Sequence, residues 1–128
     1  MKFAGMFREL GPVGLDIAQE SIFEQVLPED LPDLDDVVRY LESGYELIAM
    51  MDVNDDVFDR SRRFLGGSSV LTDGDWLWRD DFTRYVSLHR VAVPDELLST
   101  IRRRDYVVPA LEEAILIECT SVANDLMF

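Results

Sequence analysis

The sequence combines a strongly acidic composition with a large share of apolar residues. It contains 26 aspartates and glutamates but only 12 lysines and arginines, which leaves a formal net charge of −14. Hydrophobic residues nevertheless make up 48% of the chain, and aromatic residues make up 10%. A disordered acidic tail would be poor in aromatic and large aliphatic residues. The composition therefore predicts a folded single domain over residues 1–128 with a strongly negative surface.

This surface charge limits the kinds of partner that the protein can bind. It repels nucleic acid and anionic membranes, and it attracts basic proteins. No apolar run approaches the ~18 residues that span a bilayer, and Arg8 and Glu9 interrupt the N-terminal segment before a signal peptide could develop. The single cysteine, Cys119, cannot form an internal disulfide. We expect a cytoplasmic protein that binds a basic protein, and neither nucleic acid nor membrane.

The acidic residues are concentrated where basic ones are missing. No lysine or arginine occurs between Arg8 and Arg39. This interval can be a solvated face that keeps the protein soluble, or a docking surface for a cationic partner. For the second interpretation we predict contacts through acidic side chains that lack local basic partners. The predicted partner-binding residues are Glu24, Glu29, Asp30, Asp33, Asp35 and Asp36, together with Asp52, Asp55 and Asp56 from a second acidic segment.

One helix is indicated by a clear apolar stripe after Asp33, which is a suitable N-cap residue. Apolar residues recur at helical spacing through residues 34–41, and Gly44 stands where a glycine often ends a helix. Three further segments have helical patterns. They begin at Asp80 or Asp81, at Pro94 and near residue 109.

Two segments have the patterns of β-strands. Residues 45–51 are apolar on both faces, which predicts an interior strand. Asp73-Gly74 between two apolar runs predicts a type I′ hairpin that places Leu71 opposite Trp76. Residues 52–67 read as a long connection with one helical turn near Phe58. Residues 1–32 have no clear assignment, and within them Ile17, Ile22, Phe23 and Val26 give only a loose helical pattern. The predicted fold is α+β, with a small, mainly antiparallel sheet, a tight hairpin and about four helices.

The sequence contains no recognisable catalytic motif. His89 has no serine or cysteine nucleophile at a familiar spacing and no second histidine for a metal, so we expect it to be a surface or half-packed residue. Gly66-Gly67 lacks the lysine of a phosphate-binding loop. Trp76 and Trp78 have acidic rather than basic neighbours, which favours core packing over nucleic-acid stacking. We therefore expect no enzymatic activity and no cofactor.

The segment from Asp52 to Asp59 partly resembles a calcium-binding loop. Oxygen-bearing side chains alternate at its start, as calcium ligands do. However, the sixth position is Val57 where a glycine is required, and the twelfth is Arg63 where a glutamate is required. We expect no functional metal site here.

Two resemblances suggest a function. The segments 47–53, 66–69 and 71–78, above all the Thr-Asp-Gly-x-Trp-x-Trp stretch, resemble small, largely uncharacterised acidic proteins of bacteria, many from actinomycetes. In size, acidity and lack of a catalytic motif, the chain also resembles immunity proteins of contact-dependent growth inhibition and other polymorphic toxin systems. That resemblance implies a protein that binds and neutralises the C-terminal domain of a toxin, often a basic nuclease. The alternatives are an acidic nucleic-acid mimic or adaptor that binds a DNA-binding protein, and a small enzyme or cation-binding protein.

Overall fold

The computed structural model describes residues 1–128 and has the predicted α+β class. Two 3-10 turns, Arg8–Leu10 and Ile22–Glu24, lie near the N-terminus. The strands are β1 (Lys2–Ala4), β2 (Tyr45–Ile48), β3 (Val53–Asp55), β4 (Arg63–Leu65), β5 (Val70–Thr72) and β6 (Trp76–Arg79). The helices are α1 (Leu34–Glu42), α2 (Asp80–His89), α3 (Asp95–Arg103) and α4 (Glu113–Met127). None of the helices combines the length and apolar character needed to cross a bilayer.

A four-stranded sheet organises the fold, with the order β1-β6-β5-β2. Strand β1 is parallel to β6, whereas the other two pairs are antiparallel. The predicted interior position of residues 45–51 is wrong, because β2 is an edge strand and ends at Ile48. The register shifts between Glu46 and Ile48, and both Leu47 and Ile48 are half-buried against the smaller cluster on the α4 side, so their succession does not mean that both faces are covered.

The sheet separates two hydrophobic clusters because successive strand residues point to opposite faces. On one face Trp76 and Trp78 join a cluster of 17 buried residues that includes side chains of α1, α2 and α3. On the other face Leu77 joins a smaller cluster with side chains of α4. The helices therefore form layers on both sides of the sheet, with α4 opposite α1–α3.

The β5–β6 hairpin forms where it is predicted but with a different turn. Leu71 pairs with Trp78 rather than Trp76, so residues 73–76 make the connection. A type I′ turn needs positive φ at two central residues, and only Gly74 has it here. The turn is held instead by Asp73, whose Oδ1 accepts hydrogen bonds from the backbone amides of Asp75 and Trp76 at 3.0 and 2.8 Å.

Two segments differ from their predicted structures. Residues 52–67 form the β3–β4 hairpin rather than a connection with a helical turn, and Phe64 on its inner face is buried. The loose helical pattern of residues 17–26 corresponds only to the short 3-10 turn Ile22–Glu24, and residues 11–20 contain no helix and alternate between half-buried and exposed positions. Val13, Leu15 and Ile17 thereby pack against the smaller hydrophobic cluster.

Helix α1 is confirmed, although its two ends differ from the prediction. The side chain of Asp33 makes no capping hydrogen bond. Gly44 does not have positive φ, and its importance is steric. A Cβ atom at this position would lie 2.6 Å from Cζ2 of Trp78, so only glycine lets the chain pass this buried ring without a shift.

A buried carboxylate joins the hairpin to the helix layer. The hydroxyl of Tyr40 in α1 donates to Oδ2 of Asp73 at 2.7 Å, and Nη1 of Arg104, just after α3, lies 3.2 Å from the same oxygen. Arg104 also binds the exposed carboxylate of Asp75. Burial, followed by the nearby Asp73 carboxylate, raises the pKa of Tyr40, which keeps its phenol protonated as a donor.

Replacing Asp73 should therefore be far more damaging than replacing Asp75 in the same turn. Asp73→Ala leaves the Arg104 guanidinium and the Tyr40 hydroxyl without their acceptor, and we expect a loss of about 3–5 kcal/mol in the free energy of unfolding. Asp75→Ala removes a mostly exposed partner of the same arginine, and we expect a loss below about 1 kcal/mol. Urea unfolding monitored by tryptophan fluorescence measures both. Equal losses would contradict the role assigned to Asp73.

Candidate protein-binding surface

Most of the negative charge has no internal partner. Nine of the acidic side chains form ion pairs, and these pairs use eight of the lysines and arginines together with His89. The remaining 17 acidic residues have no basic side chain within 4.0 Å. Fifteen of these 17 are exposed, whereas Glu9 and Asp52 are half-buried and accept hydrogen bonds within the protein.

Four of the predicted contact residues are exposed along the segment from residue 24 to residue 35, and we call them the acidic strip: Glu24, Glu29, Asp30 and Asp35. None of the four has an ion-pair partner. The backbone beneath the strip is held in place by the residues that follow α2. The amide of Leu27 donates to the carbonyl of Arg90 at 2.8 Å, and the amide of Ala92 donates to that of Gln25 at 2.7 Å. The strip is thus presented on an ordered support.

Asp33 belongs to the structural framework, contrary to the assumption that it lacks a basic partner. Its carboxylate accepts two hydrogen bonds from Arg102 at 2.9 and 3.0 Å, and a third from the hydroxyl of Tyr106 at 2.6 Å. The hydrogen bonds from Arg102, opposed by partial burial, lower the pKa of Asp33 to about 2. These contacts fasten the start of α1 to the end of α3.

Asp36 and Asp55 also have basic neighbours, although both remain partly exposed. Asp36 accepts a hydrogen bond from Arg39 at 2.8 Å, one turn further along α1. Asp55 lies 3.7 Å from Arg63 across the β3–β4 hairpin. Exposed pairs of this kind are worth less than about 1 kcal/mol. A partner arginine could replace either local one, so their predicted role stays open.

Asp56 is completely buried, so the prediction that it contacts a partner is wrong. Its carboxylate lies 2.5 Å from Nε2 of His89 and accepts a hydrogen bond from the amide of Phe58 at 2.9 Å. The imidazole stacks on the ring of Phe58 at 4.7 Å. His89 is half-buried, as predicted, and together with Asp56 it fixes the loop of the β3–β4 hairpin against α2.

Asp52 is half-buried and is held by hydrogen bonds from two nearby side chains. Its Oδ2 accepts from the hydroxyl of Ser68 at 2.5 Å and from the amide of Asn54 at 2.8 Å. Burial acts to raise the pKa of Asp52, but these hydrogen bonds lower it below its ordinary value. The side chains of Asp52 and Asp56 thus have separate partners, and no group of three or more His, Cys, Asp or Glu side chains is placed to hold a metal.

A buried ion pair that the sequence did not predict lies at the start of α2. Arg79 donates to both oxygens of Asp81 at 3.0 and 2.9 Å and to the carbonyl of Leu10 at 3.2 Å. Burial raises the pKa of Asp81 to about 6, against the attraction of the guanidinium. The spacing Arg-x-Asp was the only signal available, and it is too common to identify such a pair.

The two acidic segments approach each other through an aromatic contact. Phe23 stands next to the acidic strip and is half-exposed, and its ring meets that of Phe58 in an edge-to-face contact at 5.1 Å. Exposed Asp59 lies beside Phe58 in the same hairpin loop. Exposed Glu24 and Asp59 thus directly follow the two phenylalanines of this contact in the sequence.

No protein-family model matches this chain, and no curated protein or solved structure is similar enough to indicate a relationship. The resemblance to immunity proteins stays a prediction. The function is accordingly inferred from the residues of the chain itself.

The ion pair of Asp33 makes a specific prediction about pH. Because the pKa of this carboxyl is lower in the folded protein than its ordinary value of 3.8, the pair stabilises the fold above about pH 4 and this contribution is lost as the pH falls towards about 2. Asp33→Asn should therefore lower the free energy of unfolding by about 1 kcal/mol at pH 7, a value reduced by solvent screening near the surface. The difference from wild type should shrink between pH 4 and 2.

Asp35→Asn is the matched control, since Asp35 is exposed and unpaired two residues away. Urea titrations at several pH values measure both variants. A difference for Asp33→Asn that does not change with pH would show that its carboxylate is not the stabilising group.

Proposed function

We propose that this protein binds and neutralises a cationic protein domain, in the manner of immunity proteins that protect a cell from its own toxin. The observation that carries the proposal is the distribution of charge. Six exposed acidic residues without ion-pair partners occur between positions 16 and 35, where the sequence has no basic residue. They are Asp16, Glu20, Glu24, Glu29, Asp30 and Asp35.

The composition of the surface supports a cationic protein as the partner class. A net charge of −14 repels phosphate backbones and anionic lipid headgroups, whereas it attracts lysine and arginine side chains. Partner guanidinium groups can bind exposed carboxylates through charge-assisted, bidentate hydrogen bonds, which add orientation as well as attraction. A basic toxin domain, such as a nuclease that binds nucleic acid through its own positive surface, has the required chemistry.

The exposed carboxylates also suggest how inhibition would proceed. The long-range field would orient the cationic domain before contact and accelerate association. The acidic strip would then occupy basic residues that the toxin domain uses for its own substrate. Inhibition on this account requires no catalytic group in the inhibitor.

The acidic strip can be tested by neutralising three of its charges. We expect the combined change Glu29→Gln, Asp30→Asn and Asp35→Asn to weaken binding to a basic toxin domain encoded beside this gene by at least about tenfold, because each lost contact removes a charge-assisted hydrogen bond. None of the three side chains has an ion-pair partner, so the fold should be unaffected. Isothermal titration calorimetry measures the affinity, and co-expression measures protection from the toxin.

The control variant also removes three negative charges, but from the α4 side of the sheet. Glu112→Gln, Glu118→Gln and Asp125→Asn alter exposed, unpaired residues just before and within α4. This variant shares the reduced net charge, so we expect only a roughly two- to threefold loss of affinity from the weaker overall field. Equal losses in the two variants would show that the strip is not the contact surface, and absence of wild-type binding would reject the proposed function.

A further inference from the structure

The β3–β4 hairpin carries an exposed apolar face that its own folding does not explain. Met51, just before β3, has its full side chain exposed, and Val53 and Leu65 are 56% and 70% exposed. Val53 and Leu65 stand directly opposite each other in the antiparallel register. We call these three residues the hairpin face.

The opposite side of the hairpin supplies the contacts that hold it to the protein. Phe64 is buried there and packs edge-to-face against Tyr85 of α2 at 5.3 Å. Asn54 pairs with Phe64 in the register and donates to Asp52. The side chains of the hairpin face lie outside this buried contact, and they form a group of neighbours rather than single exposed apolar residues, which are common on protein surfaces. Adjacent exposed apolar residues of this kind mark interaction surfaces.

A groove of about 440 Å³ adjoins the hairpin face. Its apolar lining includes Met50 as well as the three residues of the hairpin face, and methionine side chains adapt readily to the shape of a partner. At the rim, Arg84 is already engaged by Asp80 at 3.1 Å, whereas Glu46 is exposed and unpaired. The groove thus offers an apolar interior with a negative rim.

We propose that the hairpin face and its groove are the apolar anchor site for the cationic partner, an inference that rests on the proposed function. The occupant is a large apolar side chain of a basic protein domain, flanked by lysine or arginine. The apolar side chain fills the groove, and its cationic neighbours meet the unpaired carboxylate of Glu46 at the rim. This arrangement matches the usual division of an interface into a desolvated apolar centre and a polar rim.

Charge complementarity selects this occupant over a second copy of the chain. Two copies would each bring a net charge of −14 into contact, and that repulsion opposes association. A basic domain would instead be attracted by this negative charge. The hairpin face therefore adds to the acidic strip by supplying contacts that persist when charges are screened, and it should act mainly on the dissociation rate.

Methionine oxidation provides a test that needs no mutation. Free protein and its complex with the basic toxin domain are treated with dilute hydrogen peroxide, and oxidation is followed by mass spectrometry. We expect Met51 to oxidise at least about fivefold more slowly in the complex, because burial blocks access to the thioether. Met1, which is 48% exposed, is the internal control and should not change.

A pair of matched substitutions gives the second readout. Leu65→Ser removes apolar surface from the hairpin face, and Ile117→Ser removes it from α4, where the side chain is 62% exposed. We expect Leu65→Ser to weaken binding by at least about tenfold, chiefly through faster dissociation, and Ile117→Ser by less than about twofold. Thermal melting of both variants checks that they fold. If Leu65→Ser does not fold, the oxidation test on the wild-type protein still decides the proposal.

The outcomes separate the two proposals. Wild-type binding with Met51 oxidised at its free rate would overturn the anchor site and leave the proposed function standing. Absence of wild-type binding would overturn both. Sedimentation of the protein alone gives a third outcome, because a dimer that Leu65→Ser dissociates would assign the hairpin face to a second copy of this chain.

Discussion

The hydrogen bonds of the buried Asp73 carboxylate are the interactions on which the rest of the structure depends. One oxygen receives two backbone amides and thereby closes the β5–β6 turn, while the other receives Tyr40 and Arg104. The sheet, α1 and the end of α3 consequently meet at one ionised group. A buried charge is tolerated only when hydrogen bonds and an opposite charge replace its hydration. At Asp73 the turn amides and the Tyr40 hydroxyl supply the hydrogen bonds, and Arg104 supplies the opposite charge.

The excess of acidic over basic residues lies on the exterior. The arginines that lie at Asp73, Asp81 and Asp33 are held within the framework, where each compensates a carboxylate. Few bases remain to neutralise the acids at the surface. On our proposal the strip attracts and orients a cationic domain, and the hairpin face retains it.

Local patterns in the sequence predicted the parts of the fold that local forces determine. The stripe in α1 and the start of α2 near Asp80 follow from helical periodicity, which does not depend on distant residues. The hairpin turn was predicted with the wrong geometry because the Asp73 side chain, rather than positive φ, holds it. For the candidate site, the sequence predicted that the acidic strip is exposed, because a segment rich in unpaired acidic residues is not buried. The partners of Asp33 and Asp56 lie 69 and 33 residues away, and no local pattern reveals them.

The most direct test of the account is the salt dependence of association, measured by stopped-flow fluorescence with the basic toxin domain. Screening shortens the reach of the field to ~8 Å at physiological ionic strength and ~3 Å at 1 M salt. If unpaired acids direct recognition, the association rate constant should fall by at least roughly tenfold between low and high salt, while the dissociation rate constant changes only a few-fold. An association rate constant that does not depend on salt would contradict the central claim and would assign the acidic surface to solubility alone.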